Sequence, residues 1–259
     1  MISRRAFVAL SVPLWLRAAR QPLRPERPIP LFNGRNLDGL YTWLEHSKYD
    51  DPKRVFTVVD GQLRITGEEW GGIATRQDFR DYRLVAEWRW GGLTFEPRKD
   101  KARDSGILIH GVGEDGAYGG KWIQSYEYQI IEGGTGDFIL VGGKEQPRLT
   151  CDTRPGKGKE LHWQKGGLPV TRDRGRFNWY GRDPDWQDVL GFRGRDDVER
   201  PIGEWNLSEV LCDGDRIVNK LNGVVVNEGY NASQTAGRIM IQSEGAEIFF
   251  RKLELLPLR

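Results

Sequence analysis

Residues 104–138 read DSGILIHGVGEDGAYGGKWIQSYEYQIIEGGTGDF, two short apolar runs separated by one glycine-rich connection and closed by another. Runs of this length bounded by glycines form strands, and the connection is too irregular for a helix. Successive side chains of a strand face opposite ways, so Glu127 and Gln129 share one face while Tyr126, Tyr128 and Ile130 share the other. By the same rule Leu108 and His110 lie opposite Ile107 and Ile109. Pairing of the two runs in a permissive register would gather His110, Glu127 and Gln129 around one pocket.

The same alternation recurs along the chain. In YRLVAEWRW, residues 82–90, Tyr82, Leu84, Ala86, Trp88 and Trp90 fall on one face and Arg83, Val85, Glu87 and Arg89 on the other, as in a half-buried antiparallel strand. Glu87 reads as a solvated or salt-bridged sheet carboxylate. Asp60-Gly61 and Asn222-Gly223 each sit between two β-branched runs and predict two-residue hairpin turns. Further strands are expected over 72–76, 204–212, 216–221, 224–228, 237–243 and 247–255. In the penultimate run Met240, Gln242 and Glu244 face away from Ile239 and Ile241, which makes a second polar patch.

With 33 Gly and 10 Trp against 2 Met, the composition favours strands and turns over helices. The 39 basic and 37 acidic side chains nearly balance and are interspersed, which disfavours a nucleic-acid partner. Most tryptophans are expected in the core, with a minority left for a sugar-binding surface. Cys151 and Cys212 are far apart, and their spacing does not say whether they meet; neither has a zinc-finger neighbour.

The first residues, MISRRAFVALSVPLWLRAAR, combine a basic start, an apolar run too short to span a bilayer and small residues at 18 and 19. Residues 1–20 therefore read as an export signal of twin-arginine character, which leaves a mature domain without a transmembrane segment. The alternative, suggested by Arg17 and Arg20 after the apolar run, is a retained membrane anchor, and either way the domain works in the periplasm or at the cell surface. Residues 21–30, rich in Pro and Arg, read as a linker without regular structure, and residues 31–257 as one domain. Residues 144–201 show few periodic runs. Their aromatics, Trp179 and Tyr180 among them, argue for an ordered excursion that walls the pocket, with a turn and short helix at 183–186.

The opening LFNGRNLDGL, the pair DSGILIHG and YEYQIIEGG, the GEWN at 203–206, DGDRIVNKLNG at 213–223 and the final IQSEGAEIFFRKLEL together resemble the 3-keto-disaccharide hydrolase domain, in the right order and over nearly all of residues 31–255. The resemblance implies an all-β, concanavalin A-like jelly-roll sandwich of two antiparallel sheets. It also implies an enzyme cleaving glycosides already oxidised at C3 of the sugar. The chain departs from the commoner pattern at His110, where an Arg is frequent, and in the turn after the QI strand.

A 3-keto group acidifies the C2 proton, because the carbanion left behind is an enolate. A base removes the proton, the C1 substituent leaves by β-elimination, and water then adds to the 2-hydroxyglucal to give the 3-keto sugar. Such a site needs a base, a stabiliser of the enolate oxygen and an acid for the leaving oxygen. Glu127 is the expected base or metal ligand, with His110 as acid, base or ligand and Gln129 as a hydrogen-bond donor to a sugar or enolate oxygen. Glu132, Asp137, His162, Trp179, Tyr180 and Glu244 are further candidates, mainly for substrate binding. A divalent metal ion held by imidazole and carboxylate would polarise the ketone, although no local ligand motif is present. The competing reading is a non-catalytic, lectin-like carbohydrate-binding module on the same fold. An ordinary glycosidase would want a carboxylate where Gln129 stands.

Overall fold

The computed structural model describes residues 21–258; the expected export signal lies outside the described residues. These residues form strands and no helix. In chain order they are β1 (Ile29–Pro30), β2 (Leu40–Leu44), β3 (Phe56–Val59), β4 (Gln62–Ile65), β5 (Gly71–Thr75) and β6 (Tyr82–Thr94). Then come β7 (Asp104–Val112), β8 (Gln124–Ile131), β9 (Phe138–Val141), β10 (Leu149–Pro155), β11 (Leu161–Trp163) and β12 (Leu168–Arg172). The last are β13 (Gly175–Phe177), β14 (Asn206–Asp213), β15 (Arg216–Leu221), β16 (Val224–Gly229), β17 (Arg238–Ser243) and β18 (Ala246–Pro257).

Two antiparallel sheets stack as a jelly-roll sandwich of the concanavalin A type. One runs β16-β15-β14-β6-β18-β4-β3, with β1 also paired to β18; the other runs β13-β9-β8-β7-β17-β5-β2. Strand β6 illustrates why they stack. Its Tyr82, Leu84, Ala86, Trp88 and Trp90 are buried in the shared core, while Arg83 pairs with Glu209 and Glu87 with Arg251 on the outer face. Ile107, Ile109, Tyr126, Tyr128 and Ile130 fill the core from the opposite sheet. Asp60-Gly61 and Asn222-Gly223 close hairpins with positive φ at both residues, the geometry that matches strand twist.

A polar chain ties the sheets together through this core. Trp88 Nε1 donates to Ser208 Oγ at 2.8 Å, the Ser208 hydroxyl donates to Tyr128 OH at 2.9 Å, and Tyr128 OH donates to the Lys220 carbonyl at 3.2 Å. Cys151 and Cys212 are buried, unpaired thiols.

Three expectations are corrected. Residues 144–201 are not a strandless excursion: β10, β11 and β12 make a separate three-stranded sheet, and β13 adds to the edge of the seven-stranded one. These strands are mostly three to five residues long and partly exposed, too short for alternation to register. The helix expected at 183–186 is absent, because Asp183 turns its carboxylate onto the backbone amides of Asp185 and Arg195 and holds a loop. Residues 21–30 are not a free linker: Leu23 N donates to Asp78 O at 2.8 Å, and Ile29 pairs with Leu255. Pro30 is tolerated because β1 is a two-residue addition at a sheet margin.

Ser208→Ala would strand Trp88 Nε1 and remove the proton that Tyr128 OH accepts, leaving Tyr128 only its bond to the Lys220 carbonyl. The expected cost is about 1–3 kcal/mol, read as a lower urea midpoint at unchanged m-value. An unchanged midpoint would show that the polar chain does not stabilise the sandwich.

Candidate active site

The outer face of the seven-stranded sheet, turned away from the sandwich core, gathers most of the candidate carboxylates. One cross-strand row runs Met240, Leu108, Glu127, Ile139 and Arg176 over β17, β7, β8, β9 and β13. In the next row Gly72 is paired with Gln242, and Gly106 with Gln129. Gly106 is the floor on which this arrangement depends. A Cβ there would collide with Oε1 of both Gln242 and Glu127, so only glycine lets these side chains converge. Neither Oε1 atom has a hydrogen-bond partner within the described protein.

Asp104 and Glu244 bring two more carboxylates to the same patch. Burial first, and then the negative charge of Asp104, push the Glu127 carboxyl up to about 8 against the pull of Arg176. Burial raises Asp104 to about 7, although Arg98 and Arg176 oppose the shift. Glu244 is raised well above the usual range, by burial first and then by the charges of Asp104 and Glu127. Arg98 lies 3.2 Å from Asp104 and 2.9 Å from Asp188, and Gln129 Nε2 donates to Asp104 Oδ1. Near neutral pH the set therefore retains protons, and its titration belongs to the group rather than to one residue.

One wall comes from the β5 side. Trp70 stacks on Trp122 with ring centroids 6.3 Å apart, and Lys121 Nζ lies 4.3 Å over the Trp70 ring, its charge felt by Glu244. The opposite wall rests on Asp137, which accepts from Trp179 N at 2.7 Å and from Arg182, with Arg176 at 3.3 Å.

The expected residues divide accordingly. Glu127, Gln129 and Glu244 come together, but Gln129 spends its amide on Asp104 and acts as a positioning residue. His110 does not join them. A bulge between Ile109 and Val112, with His110 at φ 53°, swings its ring into the core, where Nδ1 lies 3.0 Å from the Gln234 carbonyl and the ring meets Tyr82 edge-on. Burial there lowers its pKa to about 4. Glu132 is consumed by Arg103, through Nη1 at 2.7 Å and the backbone N at 2.9 Å, and by Gly191 N. Trp179 is a core side chain, 1% exposed, rather than a sugar platform. His162 and Tyr180 line a separate cavity of about 430 Å³ beside Arg154 and Arg182. A larger cavity, about 1470 Å³, lies at the β2 edge and not over the carboxylates.

Asp104, Arg98 and Arg176 escaped the sequence reading. Asp104 stood at the very start of a strand candidate, and Arg176 lies on a strand too short to recognise. Among the described residues no group of three or more His, Cys, Asp or Glu side chains is arranged to hold a metal ion. The residues present do not fit the divalent ion considered from the chemistry, and no step is derived through one.

Residues 27–256 match the 3-keto-alpha-glucoside-1,2-lyase-like domain. The chain belongs to this family. Membership supports a carbohydrate-active function on glycosides. No curated protein matches the sequence. Among solved structures, a Parabacteroides distasonis protein provisionally designated a glycosyl hydrolase superimposes with a TM-score of 0.53 at 18% identity, over 90% of this chain and 95% of that one. A second structure, also of a P. distasonis protein so designated, gives 0.51 at 19% identity, over 90% and 100%. A carbohydrate-binding module of family 66 from Bacillus subtilis gives 0.45 at 11%, over 83% and 94%. At these identities the likeness is one of fold.

A carboxyl whose folded-state pKa exceeds its unfolded value stabilises fully below the unfolded value, and that stability is lost as pH rises through the folded one. For Glu127 the window runs from 4.5 to about 8, and for Asp104 from 3.8 to about 7. The melting temperature should fall between about pH 5 and about pH 8.5, and Glu127→Gln should flatten that fall and be more stable than wild type at the alkaline end. An identical slope in the variant would contradict the buried proton.

Proposed function

We propose that this protein is an exported enzyme that cleaves 3-keto-glycosides by C2 proton abstraction and β-elimination, followed by hydration. The observation that carries the reading is the convergence of Glu127, Asp104 and Glu244 on a water-poor polar face with guanidinium groups at its margin. Family membership supports the substrate class, and the signal-like residues 1–20 support export.

Glu127, with its pKa near 8 and a free Oε1 over Gly106, takes the C2 proton. A base poised close to ambient pH couples a usable ionised fraction to a strong drive for proton transfer. The electron pair moves into the C2–C3 bond and the ketone oxygen becomes an enolate. Arg176, across Ile139 from Glu127, is the cation placed to receive that charge. As the enolate collapses, the C1–O bond breaks and the leaving oxygen takes a proton from Glu244, which its like-charged neighbours keep protonated. Water then adds at C1, giving one proton to the Glu244 carboxylate, while the proton on Glu127 returns to C2, which yields the free 3-keto sugar and restores both residues.

The test is incubation of the protein with 3-keto-glucosides of either anomer, following 2-hydroxyglucal and 3-keto-glucose. Wild type should release both, and Glu127→Gln should lower kcat by about 10²–10⁴-fold. The rate should climb with pH up to about 8, as Glu127 ionises. Absence of release by wild type, with binding of the parent sugars retained, would favour a binding module instead.

A further inference from the structure

The cavity of about 1470 Å³ at the β2 edge takes no part in the chemistry above. Its lining includes Tyr41, Trp43, Tyr49, Arg76, Asp115 and Arg238. Strand β2 alternates so that Leu40 and Leu44 enter the sandwich core while Tyr41 and Trp43 face outward. Tyr49 is 62% exposed, yet its ring is fixed: its hydroxyl donates to Asp115 Oδ2 at 3.1 Å, and the ring meets Trp43 edge-on at 5.0 Å. Tyr41 OH donates to the other Asp115 oxygen at 2.8 Å, and Arg238 Nη1 lies 3.0 Å from the same atom. A large aromatic ring held open to solvent and already ordered loses little entropy when something settles on it.

The charges around it decide what that is. Asp115 is neutralised by Arg238, and Arg76, with its guanidinium over the Tyr41 ring, shares the lining with Asp78 and Glu114. Both signs are present and neither dominates, so the surface offers hydrogen-bond donors and acceptors around aromatic faces without selecting an ion. That is the complement of a pyranose, which presents C–H faces and a ring of hydroxyls. We propose that this groove is a second carbohydrate site, taking a sugar unit of a neutral, unoxidised glycan.

Strands β2 and β8 are four steps apart in the sheet, about 19 Å at the usual spacing. A monosaccharide seated at Glu127 therefore does not reach the groove. The loop between β7 and β8 serves both places, with Asp115 on the groove side and Lys121 and Trp122 beside the carboxylates. The groove would hold the enzyme on a longer chain while the oxidised unit occupies the reaction face.

Calorimetric titration of the full chain with cellohexaose and with maltohexaose tests this without calling on 3-keto chemistry. At least one should bind wild type and Glu127→Gln equally, with binding weakened about tenfold or more in Tyr49→Ala. Tyr49→Phe, which keeps the ring, should stay within a few-fold of wild type. The urea midpoint of Tyr49→Ala should stay close to that of wild type, which shows that the variant is folded. Failure of both glycans to bind, binding indifferent to Tyr49→Ala, or binding lost in Glu127→Gln would each overturn the proposal. None of these outcomes bears on whether the carboxylate face cleaves 3-keto-glycosides.

Discussion

The candidate face depends on bringing three carboxylates together, Asp104 and Glu127 buried and Glu244 half-buried. Each of Asp104, Glu127 and Glu244 is pushed upward by burial, and each is pushed further by at least one other carboxylate. An isolated buried charge would be prohibitive, so the group compromises by retaining protons and by recruiting cations at its rim. Arg98 and Arg176 supply that compensation from a loop and from an edge strand. Gly106 supplies the space, since any side chain there would drive Glu127 and Gln242 apart.

The same compromise is what suits the face to the proposed proton transfer. Asp137 shows the alternative: its carboxylate is saturated by Trp179 N, Arg182 and Arg176 and braces the wall. Glu132 is similarly spent on Arg103. Glu127 differs in having an oxygen without a partner and a pKa near the working pH. The fold thus sorts chemically identical side chains into braces and reactants by the company each keeps.

Much of the sandwich was legible because its strands alternate. Tyr82 to Trp90 gave the core face residue by residue, and Asp60-Gly61 and Asn222-Gly223 marked hairpins through the positive φ they accept. The face shared by Glu127 and Gln129, and the one bearing Gln242 and Glu244, followed from the same period. What failed was whatever depended on a departure from it. His110 should have stood beside Leu108 on the outer face, but the bulge after Ile109 adds a residue and reverses its side, and neighbouring β17 shifts register between Arg238 and Met240. Such a shift is a property of the pairing, invisible in either strand alone. Arg176 was missed because a three-residue strand carries no period.

The central claim, that Glu127 removes the C2 proton and Glu244 protonates the leaving oxygen, is tested most directly by a 3-keto-glucoside in D2O with Glu127→Gln and Glu244→Gln side by side. The account predicts that Glu244→Gln still places deuterium at C2 of unreacted substrate while release of the leaving group is suppressed, and that Glu127→Gln neither exchanges deuterium into C2 nor releases the leaving group. Deuterium at C2 in the presence of Glu127→Gln, at the wild-type rate, would contradict it.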